Sequence, residues 1–390
     1  MFSTVQRVAL VSFFGQLYFF VPVMTPYLQR EGLSLAEIAS LQTILLWAQL
    51  VMEIPTGVLA DRLGHRRSYQ LALAMAVGAE LWFVFAHSYP MFVISQVIAG
   101  TGFAFASGSV DAYVYDSLPE DRRPQRMQRA RGVIGAATHV ASVVAYGTTA
   151  LVAANLTHDR MVLTLWMGVA GLSIALGLGL TLRDVADREI PGERASSGML
   201  LAEGWRTLRT NRALQRVVLF ALVTNTFGAH LLVFYQAYFL DTGVRGEWLG
   251  IGLSLGSLAA VLTQLHAWRL PARLGTHRGM LVAAVIPGVL YLAMAVNGNP
   301  VLAVVLFVVQ WGATQLIAPL LSGLYNAEVP DRARATALSL ISGIVTIYVG
   351  AMGVLLGWLA ERSLGLMFGL VGVMILIGTF LVRIDDRAEV

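Results

Sequence analysis

The sequence has no cysteine and no lysine, and only 13% of its 390 residues carry charge. Without cysteine there can be no disulfide, no thiolate metal site and no cysteine nucleophile. Without lysine neither a P-loop that grips phosphate nor a Schiff-base cofactor can be built. The 27 basic residues are therefore all arginine, and against 23 acids they leave a formal net charge of +4. What remains is apolar: 57% of the residues are hydrophobic and the mean hydropathy is +0.69. Soluble domains hold about 45–50% apolar and about 25% charged residues. This is the composition of a chain dissolved in lipid.

A membrane-spanning helix needs about 20 mostly apolar residues. Runs free of Asp, Glu and Arg, with two further stretches each interrupted by one acid (Glu53 and Glu80), predict twelve such helices, at about 8–28, 37–60, 69–87, 91–117, 131–154, 160–182, 213–240, 247–268, 279–297, 300–326, 336–360 and 364–383. The ninth and tenth come from one long run that must fold back at Asn297-Gly298-Asn299-Pro300. Arg7 precedes the first helix and no small-residue cleavage site follows it, so it is read as retained rather than as a signal peptide. With both termini cytoplasmic, only Arg30, Arg160, Arg245 and Arg362 fall outside, as the positive-inside rule requires. The expected location is the inner (plasma) membrane. Residues 183–212 have the composition of a linker, with Pro191, Gly192 and a serine pair. The expected organisation is thus a six-helix bundle over 1–182, a cytoplasmic linker over 183–212 and a second bundle over 213–390. Within the linker, Leu200, Leu201, Trp205 and Leu208 lie broadly opposite Glu203, Arg206 and Arg209, a pattern suited to a short helix on the inner leaflet.

The halves repeat each other. Phe14-Gly15 matches Phe227-Gly228, Arg62-Leu63-Gly64 matches Arg273-Leu274-Gly275, and Ser107-Gly108 with Asp111-Ala112 matches Ser322-Gly323 with Asn326-Ala327, at offsets of 213, 211 and 215. Matches at one spacing and one place in a six-span plan indicate an internal repeat. The loop after the second span reads Gly57-Val58-Leu59-Ala60-Asp61-Arg62-Leu63-Gly64-His65-Arg66-Arg67. It resembles the signature loop of the major facilitator superfamily, from which only His65 departs. Glu53-Ile54-Pro55-Thr56-Gly57 and Tyr115-Asp116-Ser117-Leu118 look like a bacterial branch of drug exporters. Two exporter motifs are missing: Gln96 stands where an arginine precedes Gly100, and span five reads Gly132-Val133-Ile134-Gly135-Ala136 in place of a Gly-Pro motif.

The resemblance implies an all-α membrane protein whose twelve helices form two six-helix pseudo-repeats around a central cavity lined by spans one, four, seven and ten. It implies alternating access by a secondary transporter, not an enzyme. Proton-coupled export of an amphipathic small molecule stands ahead of symport or facilitated uptake of a small metabolite and of lipid flipping. A non-transporting membrane receptor comes last. The resemblance also implies a gating motif of Gly57, Asp61, Arg62, Gly64, Arg66, Asp116 and Arg123. The expected partners are a small-molecule substrate, protons or another ion, and membrane lipids. No cofactor, metal or nucleic acid is expected, and the chain is expected to be a monomer. Ionisable groups within a bilayer are costly and so are functional candidates by default; Asp111, Glu53 and Glu80 are the candidates for proton coupling. Gln16 and Tyr27 share a helix face, as do Asn225 and Gln236 with His230 and Tyr235 nearby, and Trp311 with Gln315. These eight are the candidate cavity residues. No arginine is expected deep in a span, which favours a neutral or cationic cargo over an anionic one.

Overall fold

A computed structural model describes residues 3–183, 205–329 and 334–382, without the side chains of 225, 226, 326–328, 334 and 335. The first half holds α1 (Thr4–Gly15), a 3₁₀ turn at Val21–Val23, α2 (Met24–Arg30), α3 (Leu35–Leu63), α4 (His65–Val84), α5 (Tyr89–Ala106), α6 (Ser109–Ser117), α7 (Arg123–Val152) and α8 (His158–Leu180). The second holds α9 (Arg212–Asp241), α10 (Glu247–His266), α11 (Arg269–Leu274), α12 (Thr276–Val296), α13 (Pro300–Thr314), α14 (Ile317–Glu328), α15 (Arg334–Arg362) and α16 (Leu364–Leu381). Ten stretches of described helix are long and apolar enough to cross a membrane. The first and third predicted spans fall outside that count. The first is broken into α1 and α2, and the third, α4, carries His65, Arg66, Arg67 and Glu80.

Local chemistry sets the helix starts. Ser3 with Gln6 and Ser34 with Glu37 form capping boxes at α1 and α3. Asn211 caps α9 by accepting from the Leu214 N–H, and Asn299 caps α13 ahead of Pro300. Gly64 ends α3 and begins α4 with φ 83° and ψ 154°; Gly275 does the same between α11 and α12 with φ 79° and ψ 161°. These are the glycines of the repeated Arg-Leu-Gly, and a left-handed φ is open to glycine at little cost.

By contacts the chain divides into one unit of residues 1–190 with 245–254 and another of 191–244 with 255–390. In the first, α1 packs on α7 and α8, and α4 packs on α5 and α8. In the second, α9 packs on α15, and α12 packs on α16. The pairings of spans one with five and three with six thus recur as seven with eleven and nine with twelve, the architecture expected from the repeat. Each unit has its own apolar core: Val8, Val11, Tyr69, Leu73, Tyr113 and Met127 are buried together in the first, and Val217, Phe220, Met280, Ala283, Ile317 and Leu321 in the second. The linker helix is only partly seen, because 184–204 lie outside the described residues. Residues 205–210 are helical, and Leu208 is buried against Leu214, Val218 and Ile341 rather than turned toward lipid.

α5 lies against the backbone of α3 at Gly100. A Cβ there would stand 2.5 Å from the Leu45 carbonyl oxygen and 2.9 Å from Ala48 Cβ. Gly100→Val is therefore expected to cost about 1–3 kcal/mol by overpacking. The check is the thermal midpoint of the purified protein, which should fall clearly. An unchanged midpoint would mean that the two helices are not in backbone contact.

Candidate functional site

Three of the predicted spans are interrupted within their length. Span one stops at Gln16, which caps the C-terminus of α1 and whose amide donates to Ser142 Oγ at 3.5 Å. Span four breaks at Ser107-Gly108, with Gly108 at φ 79°. Span ten breaks at Gln315, which caps α13 and accepts from the Gln264 amide at 3.1 Å. An unbroken helix satisfies all its interior backbone groups itself, so a break at membrane depth is tolerated only inside protein or beside a water-filled cavity.

In the second unit a cavity of about 280 Å³ lies between α9, α14 and α15. Helix α14 presents Ala318, Leu321, Ser322 and Tyr325, and α15 presents Leu338, Ile341, Ser342 and Val345; Ala221 of α9 completes the wall. Both series run i, i+3, i+4, i+7, one face of an α-helix. The wall is mostly apolar, with the hydroxyls of Ser322, Tyr325 and Ser342 set into it, the usual make-up of a small-molecule pocket. Ser322 is marked in the sequence only as part of the repeat, and none of these residues as a site residue, because serine and tyrosine on an apolar helix carry no such signal until the facing helix is known.

The expected cavity residues are sorted by burial. Tyr27 is 1% exposed and packs among Phe20, Phe83 and the stacked ring of His158, so it is a core residue and not part of a cavity wall. Tyr235 is fully buried and stacks on Phe307 at 4.4 Å between centroids. Gln236 is buried, its amide donating to the Leu232 carbonyl one turn back, and buried His230 bonds through Nε2 to the Val349 carbonyl of α15 at 2.7 Å. These three hold the second unit together instead of lining a cavity. Trp311 is half-buried and lies against Gly256 and Phe307. The Asn225 side chain lies outside the described residues.

The three acids differ. Glu53 is exposed on α3, two residues before Pro55. Asp111 is paired: Arg131 Nη2 donates to its Oδ2 at 2.8 Å and Nε to its Oδ1 at 3.4 Å. Arg131 stands eight residues inside α7, after Arg123, Arg126 and Arg129 and at the start of the fifth predicted span. Glu80 is half-buried on α4 and has no hydrogen bond or ion pair among the described residues. Its Oε1 fills the space left by Gly168 of α8, where a Cβ would come within 3.0 Å.

The profile of the Major Facilitator Superfamily matches residues 8–252. The chain belongs to the major facilitator superfamily. Across 93% of its length, and 89% of the relative's, it is 21% identical to YxaM of Bacillus subtilis strain 168, an uncharacterised transporter of this type. Over 114 residues, 29% of each chain, it is 23% identical to the quinolone resistance protein NorA of Staphylococcus aureus. Its fold superposes on a variant of the nucleoside transporter NupG with a TM-score of 0.83 at 15% identity, covering 99% of both chains. The protein is accordingly a multi-pass membrane transporter of this superfamily.

The superfamily's signature loop is local and charged here. Gly57 and Arg62 are exposed at the end of α3, and Asp61 is next to them. Arg66 donates to the Leu182 carbonyl at 3.1 Å, and the Arg123 guanidinium lies 5.1 Å from the centre of the Tyr115 ring. His65, the one departure from the signature, stands 3.9 Å from Asp116 through Nε2 and Oδ2, so the substitution places an imidazole beside the acid of the motif.

Proposed function

We propose that this transporter exports an amphipathic small molecule across the inner membrane in exchange for entering protons, with both termini in the cytoplasm. The observation that carries the reading is the cavity of the second unit: an apolar wall with three hydroxyls suits a cargo that is mostly apolar and bears a few polar groups. The partial similarity to NorA supports the same direction. Proton coupling is assigned to Glu80. A carboxyl with no cation bound to it can accept and release a proton without first breaking an ion pair, whereas Asp111 would have to leave Arg131. The cytoplasmic placement of both ends rests on the arginine distribution.

The test is a thermal-shift screen of the purified protein over amphipathic cations, neutral compounds and anions, followed by flux of the best binder in proteoliposomes with and without a pH gradient. Stabilisation by amphipathic compounds and flux that quickens with the gradient are expected. Flux indifferent to the gradient would remove the proton from the proposal, and stabilisation only by small polar metabolites would favour uptake by symport.

A further inference from the structure

Asp111 and Arg131 lie on different helices, α6 and α7, yet close into a two-point ion pair. Their side chains are 51% and 63% exposed. The pair joins the fourth predicted span to the start of the fifth, and charged groups this exposed belong on a side that water reaches, since charge turned to lipid is costly. The ground around it is bare: Gly108, Gly132 and Gly135 all have open space where a Cβ would be. Arg131 still has Nη1 without a partner among the described residues. The repeat adds a second pointer. Ser107-Gly108, just before α6, corresponds to Ser322-Gly323, and Ser322 lines the cavity of the second unit.

We propose that Asp111 and Arg131 form a charge-neutral recognition site for a cargo that carries a cationic and an anionic group a few bonds apart, such as an α-amino acid or a related zwitterion. An anion alone that engages Arg131 competes with Asp111 and leaves the carboxylate without its partner; a cation alone does the same to the guanidinium. A zwitterion serves both, its ammonium on the Asp111 carboxylate and its anionic oxygens on the Arg131 fork. The rest of the cargo lies along the open strip of α7 at Gly132 and Gly135. The proposal rests on the transport reading only for the statement that the bound molecule is moved; binding itself does not depend on it.

Three probes share one skeleton and differ in charge alone: phenylalanine, phenethylamine and 3-phenylpropionate. Calorimetric titration of the full chain in lipid nanodiscs should give at least about tenfold tighter binding of phenylalanine than of either partner, the worth of one lost charge-assisted contact. Arg131→Gln should weaken phenylalanine about tenfold and spare phenethylamine, and Asp111→Asn should weaken it likewise and spare 3-phenylpropionate. A merely structural pair would not produce these opposite selectivities. Should either single variant fail to fold, the exchange Asp111→Arg with Arg131→Asp keeps an ion pair and should keep the preference for phenylalanine. Equal binding of the three probes, binding of none, or an exchange variant that is folded but indifferent to charge would overturn the proposal. Charge-selective binding without phenylalanine flux in proteoliposomes would retire the transport reading and leave the site. Gradient-dependent flux of an amphipathic compound without charge-selective binding would do the reverse.

Discussion

Glu80→Gln should abolish uphill movement of cargo while leaving downhill exchange in place. One proton crossing about 100 mV is worth about 2.3 kcal/mol, which supports roughly a 50-fold concentration ratio of a cargo exchanged one for one. In inside-out vesicles with an acid lumen that ratio should collapse to unity in the variant, because glutamine keeps the shape and the hydrogen-bonding groups of the side chain but cannot titrate. Glu80→Asp should retain part of the accumulation. Gly168→Ala, which brings a methyl to 3.0 Å from Glu80 Oε1, should slow transport by crowding the carboxyl. If Glu80→Gln vesicles accumulate cargo as the wild type does, the proton is carried elsewhere.

The second large effect concerns the cavity between α9, α14 and α15. Ala318 lines it and is exposed, so Ala318→Phe can place a ring in the cavity without disturbing a buried core residue. Binding of the best amphipathic compound should weaken by tenfold or more, since a pocket of about 280 Å³ has little room beside a phenyl group. The thermal midpoint of the empty protein should stay within a few degrees of wild type, since surface changes usually cost under about 0.5 kcal/mol. Substitution of Tyr235, fully buried and stacked on Phe307, should instead lower the midpoint. Unaltered affinity in Ala318→Phe would show that cargo does not enter this cavity.

Most of the architecture was legible from hydropathy and arginine placement, and the repeat was legible from three short matches; the backbone of Gly64 and Gly275 bears out one of them in detail. The breaks in spans one, four and ten were not legible, because a charge-free run reads the same whether its helix is continuous or interrupted. Only Gly108 left a trace, and a lone glycine in an apolar run is an ambiguous one. Site residues were harder for a related reason. Helical spacing tells which residues share a face but not whether that face meets a cavity or a neighbouring helix. That is why Tyr27, Tyr235, Gln236 and His230, sound as face assignments, turned out to be core. The Asp111–Arg131 pair was hidden because its members belong to separate helices and meet only once α6 and α7 are packed. Glu80 stood out at both levels, since an acid in the middle of a span is anomalous whatever surrounds it.

The most direct test of proton-coupled export is proton movement triggered by cargo. Proteoliposomes loaded with a pH-sensitive dye and containing the wild-type protein should show a proton flux opposite to an imposed gradient of the compound that most stabilises the purified protein. The Glu80→Gln protein should pass the compound with no proton signal. Passage of the compound through the wild type with no change in luminal pH, or an undiminished proton signal in Glu80→Gln, would contradict the account.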